Sequence, residues 1–193
     1  MPLTDKHILV GLTGGIACYK VPYLVRALRK AGAEVQVVMT RSATEFITPL
    51  TLETVSNREG AVDMFSQERF ISTRHIDFAQ WPDLIVIAPA TANFMGKVAS
   101  GICDDLLTTI ICASAKPIMV APAMNPQMWR NPVTQRNFKT LLGLGYRSVD
   151  PTEGEMACDD YGVGRMAEPD AIFEAVKRLF DHPAKRSTGK KKP

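Results

Sequence analysis

The sequence predicts an α/β protein, a single doubly wound sandwich around a central parallel sheet. Three observations predict it. Short apolar runs recur without polar alternation, as strands covered on both faces require. Stretches of helical spacing separate these runs, which implies parallel strands joined by right-handed crossovers. No internal repeat or domain break interrupts residues 1–182, and a chain of 193 residues fits one domain.

The elements follow in order. His7 to Thr13 is a short apolar run that ends at Gly14-Gly15, a buried strand in prospect. Ile16 to Ala31 has helical spacing, with Val21, Leu24, Val25 and Leu28 on one side and Arg26, Arg29 and Lys30 on the other; Gly32 supplies a stop. Glu34 to Thr40 is the second strand. Leu84–Pro89 and Pro117–Pro122 are two more, and a weaker one lies near Tyr146–Val149. Helices are expected at about 91–99, 104–115, 132–143 and 169–181. Residues 154–166 show neither helical nor strand periodicity and read as a long functional loop.

Charge and cysteine usage narrow the function classes. The net charge is +3, but the tail 183–193 carries five cations and no acid, so the body stands at −2. A mildly acidic body is not a nucleic-acid binder, and the tail reads as a solvated end or a linker remnant. The N-terminus lacks the regions of a signal peptide, and no apolar run reaches the ~20 residues that span a bilayer. The expectation is a cytoplasmic protein with no membrane partner. Cys18, Cys103, Cys112 and Cys158 form no Cys-x-x-Cys pair and have no His at zinc-finger spacing, so no metal site or disulfide framework is expected. At most one of the four should be reactive, and the others should be small buried apolar groups.

Ligands of doubly wound sheets bind outside the carboxyl ends of the strands. Here those ends are Thr13-Gly14-Gly15, Thr40-Arg41-Ser42, Ala88-Pro89-Ala90 and Pro122-Ala123-Met124-Asn125. Gly14-Gly15-Ile16 follows a strand and opens a helix, where backbone amides can approach a phosphate. It matches neither Gly-x-Gly-x-x-Gly nor the P-loop, so a mononucleotide phosphate is favoured over a dinucleotide, with a ligand-free tight turn as the alternative. Thr40 and Ser42 add hydroxyls beside it. The 88–93 stretch, small and polar, suits a flat ring, with Thr91 or Asn93 bonding to it; Thr91 equally suits a helix cap. Asp104-Asp105 also reads as a cap.

Three further residues have the chemistry of a reaction centre, and each is expected in a separate loop. His75 can move protons near neutral pH. Asn125 can fix a carboxylate, or merely precede Pro126 in a turn. Cys158 can donate a proton or attack an electrophile, or be an incidental thiol.

These motifs together resemble the flavin-dependent cysteine decarboxylases over about residues 6–180. Those that carry the resemblance are Gly14-Gly15-Ile16, His75-Ile76, Pro-Ala-Thr-Ala-Asn at 89–93, Pro-Ala-Met-Asn at 122–125, Ala157-Cys158 and Gly164-Arg165-Met166. The resemblance implies a Rossmann-like, flavodoxin-like flavoprotein with FMN as cofactor. It implies 4′-phospho-N-pantothenoylcysteine as substrate and a step in coenzyme A biosynthesis. It also implies the route: oxidation of the cysteine side chain to a thioaldehyde, loss of carbon dioxide, and re-reduction of the enethiolate. By the same resemblance His75 is the base, Asn125 and Met156 meet the substrate, and Cys158 gives the final proton. Gly14, Gly15, Ile16, Thr40, Ser42, Thr91, Ala92, Asn93, Phe94 and Ala123 would line the FMN. Members form homo-oligomers built of trimers, up to dodecamers, with the flavin at subunit contacts, so His75 would serve a neighbour. Many bacterial members are fused to a phosphopantothenate–cysteine ligase, and the tail 183–193 would then be linker. Open alternatives are a decarboxylase of peptidyl cysteine and a non-catalytic flavin-binding regulatory subunit.

Overall fold

The computed structural model describes residues 2–64, 74–155 and 161–181. Five parallel strands form the central sheet: β1 (His7–Leu12), β2 (Glu34–Met39), β3 (Leu84–Ala90), β4 (Ile118–Pro122) and β5 (Arg147–Ser148). Their order is β2-β1-β3-β4-β5. Strand order reverses between β1 and β3, so the crevice of this α/β sheet opens at the carboxyl ends of those two strands.

Alternate residues of each strand feed two cores. Ile8, Val10 and Leu12 of β1 point to one face with Val35, Val37, Leu84 and Val86, beneath Leu24, Leu28, Ile172 and Val176. Leu9 points to the other face with Ile85, Ile87 and Val120, beneath Phe94, Leu107, Ile110 and Leu141. Burial on both faces is why these strands read as unbroken apolar runs. Gly11 is needed in this second core, because a Cβ there would lie 2.7 Å from both Ile87 Cδ1 and Leu107 Cδ1.

The first face is covered by α1 (Val21–Lys30), α3 (Pro49–Ser56) and α9 (Pro169–Asp181). The second carries α4 (Arg74–Gln80), α5 (Ala92–Ala99), α6 (Leu106–Ala113) and α8 (Pro132–Gly143). Two short helices, α2 (Arg41–Thr44) and α7 (Pro126–Arg130), follow β2 and β4 at the carboxyl edge.

The structure differs from the sequence reading in several places. The helix expected over Ile16–Ala31 is two pieces, a 3-10 turn at Ile16–Lys20 and then α1, because Pro22 belongs at a helix start and has no N–H to continue a preceding turn. Helix α6 starts at Leu106 rather than 104, since Asp105 is its cap: its Oδ1 accepts from Thr108 N–H (2.8 Å), and its own N–H donates to Thr108 Oγ1 (3.2 Å). Helices α2, α3, α4 and α7 add to the expected set; α2, α4 and α7 are too short for apolar periodicity to register, and α3 buries only Leu52 and Ser56 and so shows no apolar stripe. The 154–166 stretch is not a plain loop. It contributes to an antiparallel hairpin of β6 (Thr152–Glu155) and β7 (Tyr161–Arg165). Its pattern is hidden by Gly154, Gly162 and Gly164, which carry no side chain and so leave the strands little to alternate. Cys18 is buried as expected, but Cys103 and Cys112 are exposed.

Tyr146, at the foot of β5, is half-buried against the second core. Burial first, then nearby Cys112, pushes its phenol up from 10.0 to about 12. The unfolded chain therefore loses this proton near 10 and the folded one near 12. Stability from the neutral phenol is complete below the lower value and drains away between them. Tyr146→Phe should lessen the alkaline fall in stability across that window while leaving neutral stability nearly unchanged, as read by urea unfolding at a series of pH values.

Candidate functional site

The cavity lies at the β1/β3 switch point and has a volume of ≈ 1640 Å³. Its floor is knotted by Thr13. The Thr13 hydroxyl donates to Pro89 O (2.6 Å) and accepts from Thr91 N–H (3.0 Å), joining the ends of β1 and β3. Thr91 then caps α5 by accepting from Phe94 N–H (3.4 Å). The capping role and the cavity-lining position therefore coexist in one side chain.

Gly14 and Gly15 form the turn after β1. A Cβ on Gly14 would sit 2.4 Å from Ser42 Cβ and 3.0 Å from the Ser42 carbonyl, so nothing larger fits between the two strand ends. Gly15 precedes the 3-10 turn in extended conformation with no side-chain cap, which leaves that turn's first amides to the cavity. Thr40 starts α2, and its Oγ1 is buried without a hydrogen-bond partner. A buried hydroxyl in that state calls for a polar ligand. The combination of bare amides, a close glycine and an orphaned hydroxyl fits a phosphate-bearing cofactor.

Among the described residues four cations line the cavity, each with a carboxylate partner. Arg41 meets Asp63 (3.1 Å), Lys20 meets Glu168 (2.6 Å), Arg165 meets the same Glu168 (3.4 Å), and Lys97 meets Asp104 (2.7 Å) and Asp105 (3.5 Å). The hydrogen bond to Asp104 holds the Lys97 ammonium above the usual lysine range, and the same bond holds Asp104 below the usual carboxylate range.

Asn125 lines the far wall and caps α7, its Oδ1 accepting from Gln127 N–H (2.8 Å). That bond fixes the orientation of the Asn125 amide on the cavity wall. Next to it, Met124 N–H donates to Gly164 O (2.9 Å), which seats β7 on this loop.

Of the residues singled out by sequence, Gly14, Gly15, Ile16, Thr40, Ser42, Thr91, Asn93, Phe94, Ala123 and Asn125 all line this cavity. Ala92 does not; it starts α5 behind Thr91. Half-buried His75 is absent from the lining as well. It sits in the first turn of α4 rather than in a loop, on a helix fastened by a bond from Ser114 Oγ to Ala79 O (2.8 Å). Trp81 follows, stacked on His7 at 4.6 Å and under Arg58 at 4.7 Å. Met156, Cys158 and the tail 183–193 lie outside the described residues. Sequence reasoning missed Lys20, Lys97, Met128, Glu155 and the Arg165 side chain as lining residues. Arg165 stands in a noticed motif and Glu155 in the 154–166 stretch read as a functional loop; the others carry no local signal of a site.

The Flavoprotein family profile matches residues 2–181. The chain belongs to the flavoprotein family. Among curated relatives of this flavoprotein is the coenzyme A biosynthesis bifunctional protein CoaBC of Haemophilus influenzae, 47% identical over 180 residues, covering 93% of this chain and 45% of the relative. The chain thus spans about half the length of the curated relatives it matches. A solved PPC decarboxylase mutant complexed with pantothenoylaminoethenethiol superposes with a TM-score of 0.83 at 36% identity, covering 92% of this chain and 99% of that one. The FMN binding protein AtHal3 superposes with a TM-score of 0.80 at 37% identity, covering 92% and 97%. The five-stranded order found here is that of a flavodoxin-like flavoprotein. Among the described residues no group of three or more His, Cys, Asp or Glu could hold a metal, and no helix is long and apolar enough to cross a membrane.

Asp105 is a test of how the wall of the cavity is built. Asp105→Ala should cost about 1–2 kcal/mol by loss of the cap, whereas Asp105→Asn should cost only a few tenths. Urea unfolding of both variants measures the difference.

Proposed function

We propose that this chain uses FMN to decarboxylate 4′-phospho-N-pantothenoylcysteine to 4′-phosphopantetheine, a step of coenzyme A biosynthesis in the cytoplasm. The observation that carries the reading is the pairing, in one cavity, of a phosphate-receptive turn with an amide placed for a carboxylate. The likeness to a PPC decarboxylase over nearly the whole of that chain supports the substrate. The name of the CoaBC relatives supports the pathway and a fused or separate phosphopantothenate–cysteine ligase as partner.

The Gly14–Ile16 turn, Thr40 and Ser42 would take the cofactor phosphate, and Thr91, Asn93, Phe94 and Ala123 would take the ring. When bound, FMN supplies a reversible two-electron acceptor for the carbon that bears sulfur. The chain's own residues handle charge and protons. A simple amino-acid carboxylate cannot leave without an electron sink beside it, and a thioaldehyde on the neighbouring carbon is such a sink. His75 would take the thiol proton as that carbon is oxidised. The Asn125 amide nitrogen would hold the carboxylate in place until carbon dioxide departs. Cys158 would return a proton as the enethiolate is reduced, so no net electrons are consumed.

His75 needs a second copy of the chain to reach such a site, because it does not line the cavity of its own. Ile16 and Tyr19 line the cavity and Tyr23 follows on α1, and the three are 57%, 56% and 67% exposed, which supports this. An apolar strip of that kind suits a homo-oligomeric contact, trimeric or a dodecamer of trimers.

The deciding experiment is the visible spectrum of the purified protein, with anaerobic bleaching and carbon dioxide release on addition of phosphopantothenoylcysteine. A colourless protein that takes up no flavin would refute the reading. His75→Asn should keep the yellow colour and fold yet release no carbon dioxide. Cys158→Ser should still release carbon dioxide but accumulate the enethiol, which absorbance and mass spectrometry detect; saturated product at the normal rate would remove its donor role. Thr40→Val should leave the flavin-free protein as stable as before or more so, since it deletes an unpaired buried hydroxyl. The same change should weaken FMN about tenfold, the worth of one hydrogen bond to a charged group; fluorescence titration and thermal melts separate the two effects.

A further inference from the structure

We infer that Glu168 is a positioning residue that couples the cofactor turn to the β6–β7 hairpin, an inference that rests on the reading of the cavity given above. One carboxylate oxygen, Glu168 Oε1, meets both Lys20 Nζ (2.6 Å) and an Arg165 guanidinium nitrogen (3.4 Å). Lys20 ends the 3-10 turn that begins at Ile16, directly after Gly14-Gly15. Arg165 ends β7. Both cations line the cavity, from opposite parts of the chain.

The three groups differ in how firmly they are set. The Lys20 side chain is only 10% exposed, and a buried ammonium holds its partner because losing it leaves an uncompensated charge. Glu168 stands at the start of α9, its carbonyl accepting from Ile172 N–H (3.1 Å), and α9 packs on α1 in the first core. Arg165 in turn closes the hairpin. A Cβ on Gly154 would lie 2.7 Å from its Nη1 and 3.0 Å from its Cδ, so the β6 backbone rests against the arginine stem. Through Gly164 O, β7 also carries the Met124–Asn125 loop.

The shared oxygen makes the two sides interdependent. An anion bound at the turn competes with Glu168 for the Lys20 ammonium. As that contact loosens, Oε1 is released toward Arg165, and the arginine that braces β6 and the Asn125 wall is held more tightly. A ligand on the Asn125 side, by reciprocity, strengthens anion binding at the turn. The expected sign is positive coupling between cofactor and substrate-side ligand.

The test is a linkage measurement on the full chain. FMN is titrated by fluorescence quenching with and without saturating 4′-phosphopantetheine. In the wild type the product should tighten FMN at least about fivefold, within the usual span of allosteric couplings. Glu168→Gln should bring that ratio close to one and raise KM for phosphopantothenoylcysteine more than it lowers kcat. Arg165→Met, which leaves the Lys20 pair in place, should do the same and guards against a folding defect in the first variant. Arg165→Lys should restore part of the ratio. A ratio in Glu168→Gln or Arg165→Met equal to that of a coupled wild type would overturn the coupling, as would a wild-type ratio of one. A wild type that binds no flavin would instead remove the functional reading beneath it.

Discussion

Burial of the parallel sheet on both faces is the constraint from which the rest of the structure follows. Polar groups cannot be placed along β1, β3 or β4 without being stranded in one of the two cores. Chemistry is therefore driven to the strand ends, and the order β2-β1-β3-β4-β5 leaves one of those edges open as a crevice. Thr13 is the point at which apolar strand becomes polar site. It is almost fully buried, and its hydroxyl is satisfied by Pro89 O and Thr91 N–H. The strand ends are fixed relative to each other before any ligand arrives, which is the rigidity a binding constellation needs.

The cavity's charge is organised by the same economy. Among the described residues each of its cations is matched by a carboxylate, so that wall is close to neutral. Among the described residues the Thr40 hydroxyl lacks a partner and the turn after Gly15 has no side-chain cap, and both are neutral. Neutral donors can hold a phosphate at low desolvation cost and release it, which suits a dissociable cofactor. Shared acids such as Glu168 then allow one binding event to be felt by another part of the wall.

The sequence reading and the structure agree where signals are local and long. β3 and β4 are legible because each is a short continuous apolar run bounded by turn residues, the mark of a strand buried on both faces, and β1 and β2 because their short runs are mostly apolar, Gln36 being the one polar residue inside β2. α1, α5, α6, α8 and α9 are legible from helical spacing and caps, Asp105 among them. The short helices are not: α4, with seven residues, shows no repeat, so the sequence alone puts His75 in a loop. The β6–β7 hairpin escapes because three glycines, having no side chain, erase the alternation that marks a strand. Cysteine is usually buried, which predicts core positions for Cys103 and Cys112; here the loop before α6 and the outer face of α6 carry them to the surface.

By itself the sequence determined the class of fold, the edge that would bear function, and the glycine, threonine and asparagine residues that end its strands. These are consequences of periodicity and of residue type at a strand terminus, which are written in contiguous stretches of chain. Tertiary structure decided which distant groups share an atom or a wall: Lys20 reaches, across 148 positions, the Glu168 oxygen that Arg165 also meets, and His75 is left out of the lining of its own chain's cavity. Such pairings depend on how helices cross the sheet, and no local pattern encodes a contact between residues more than a hundred positions apart.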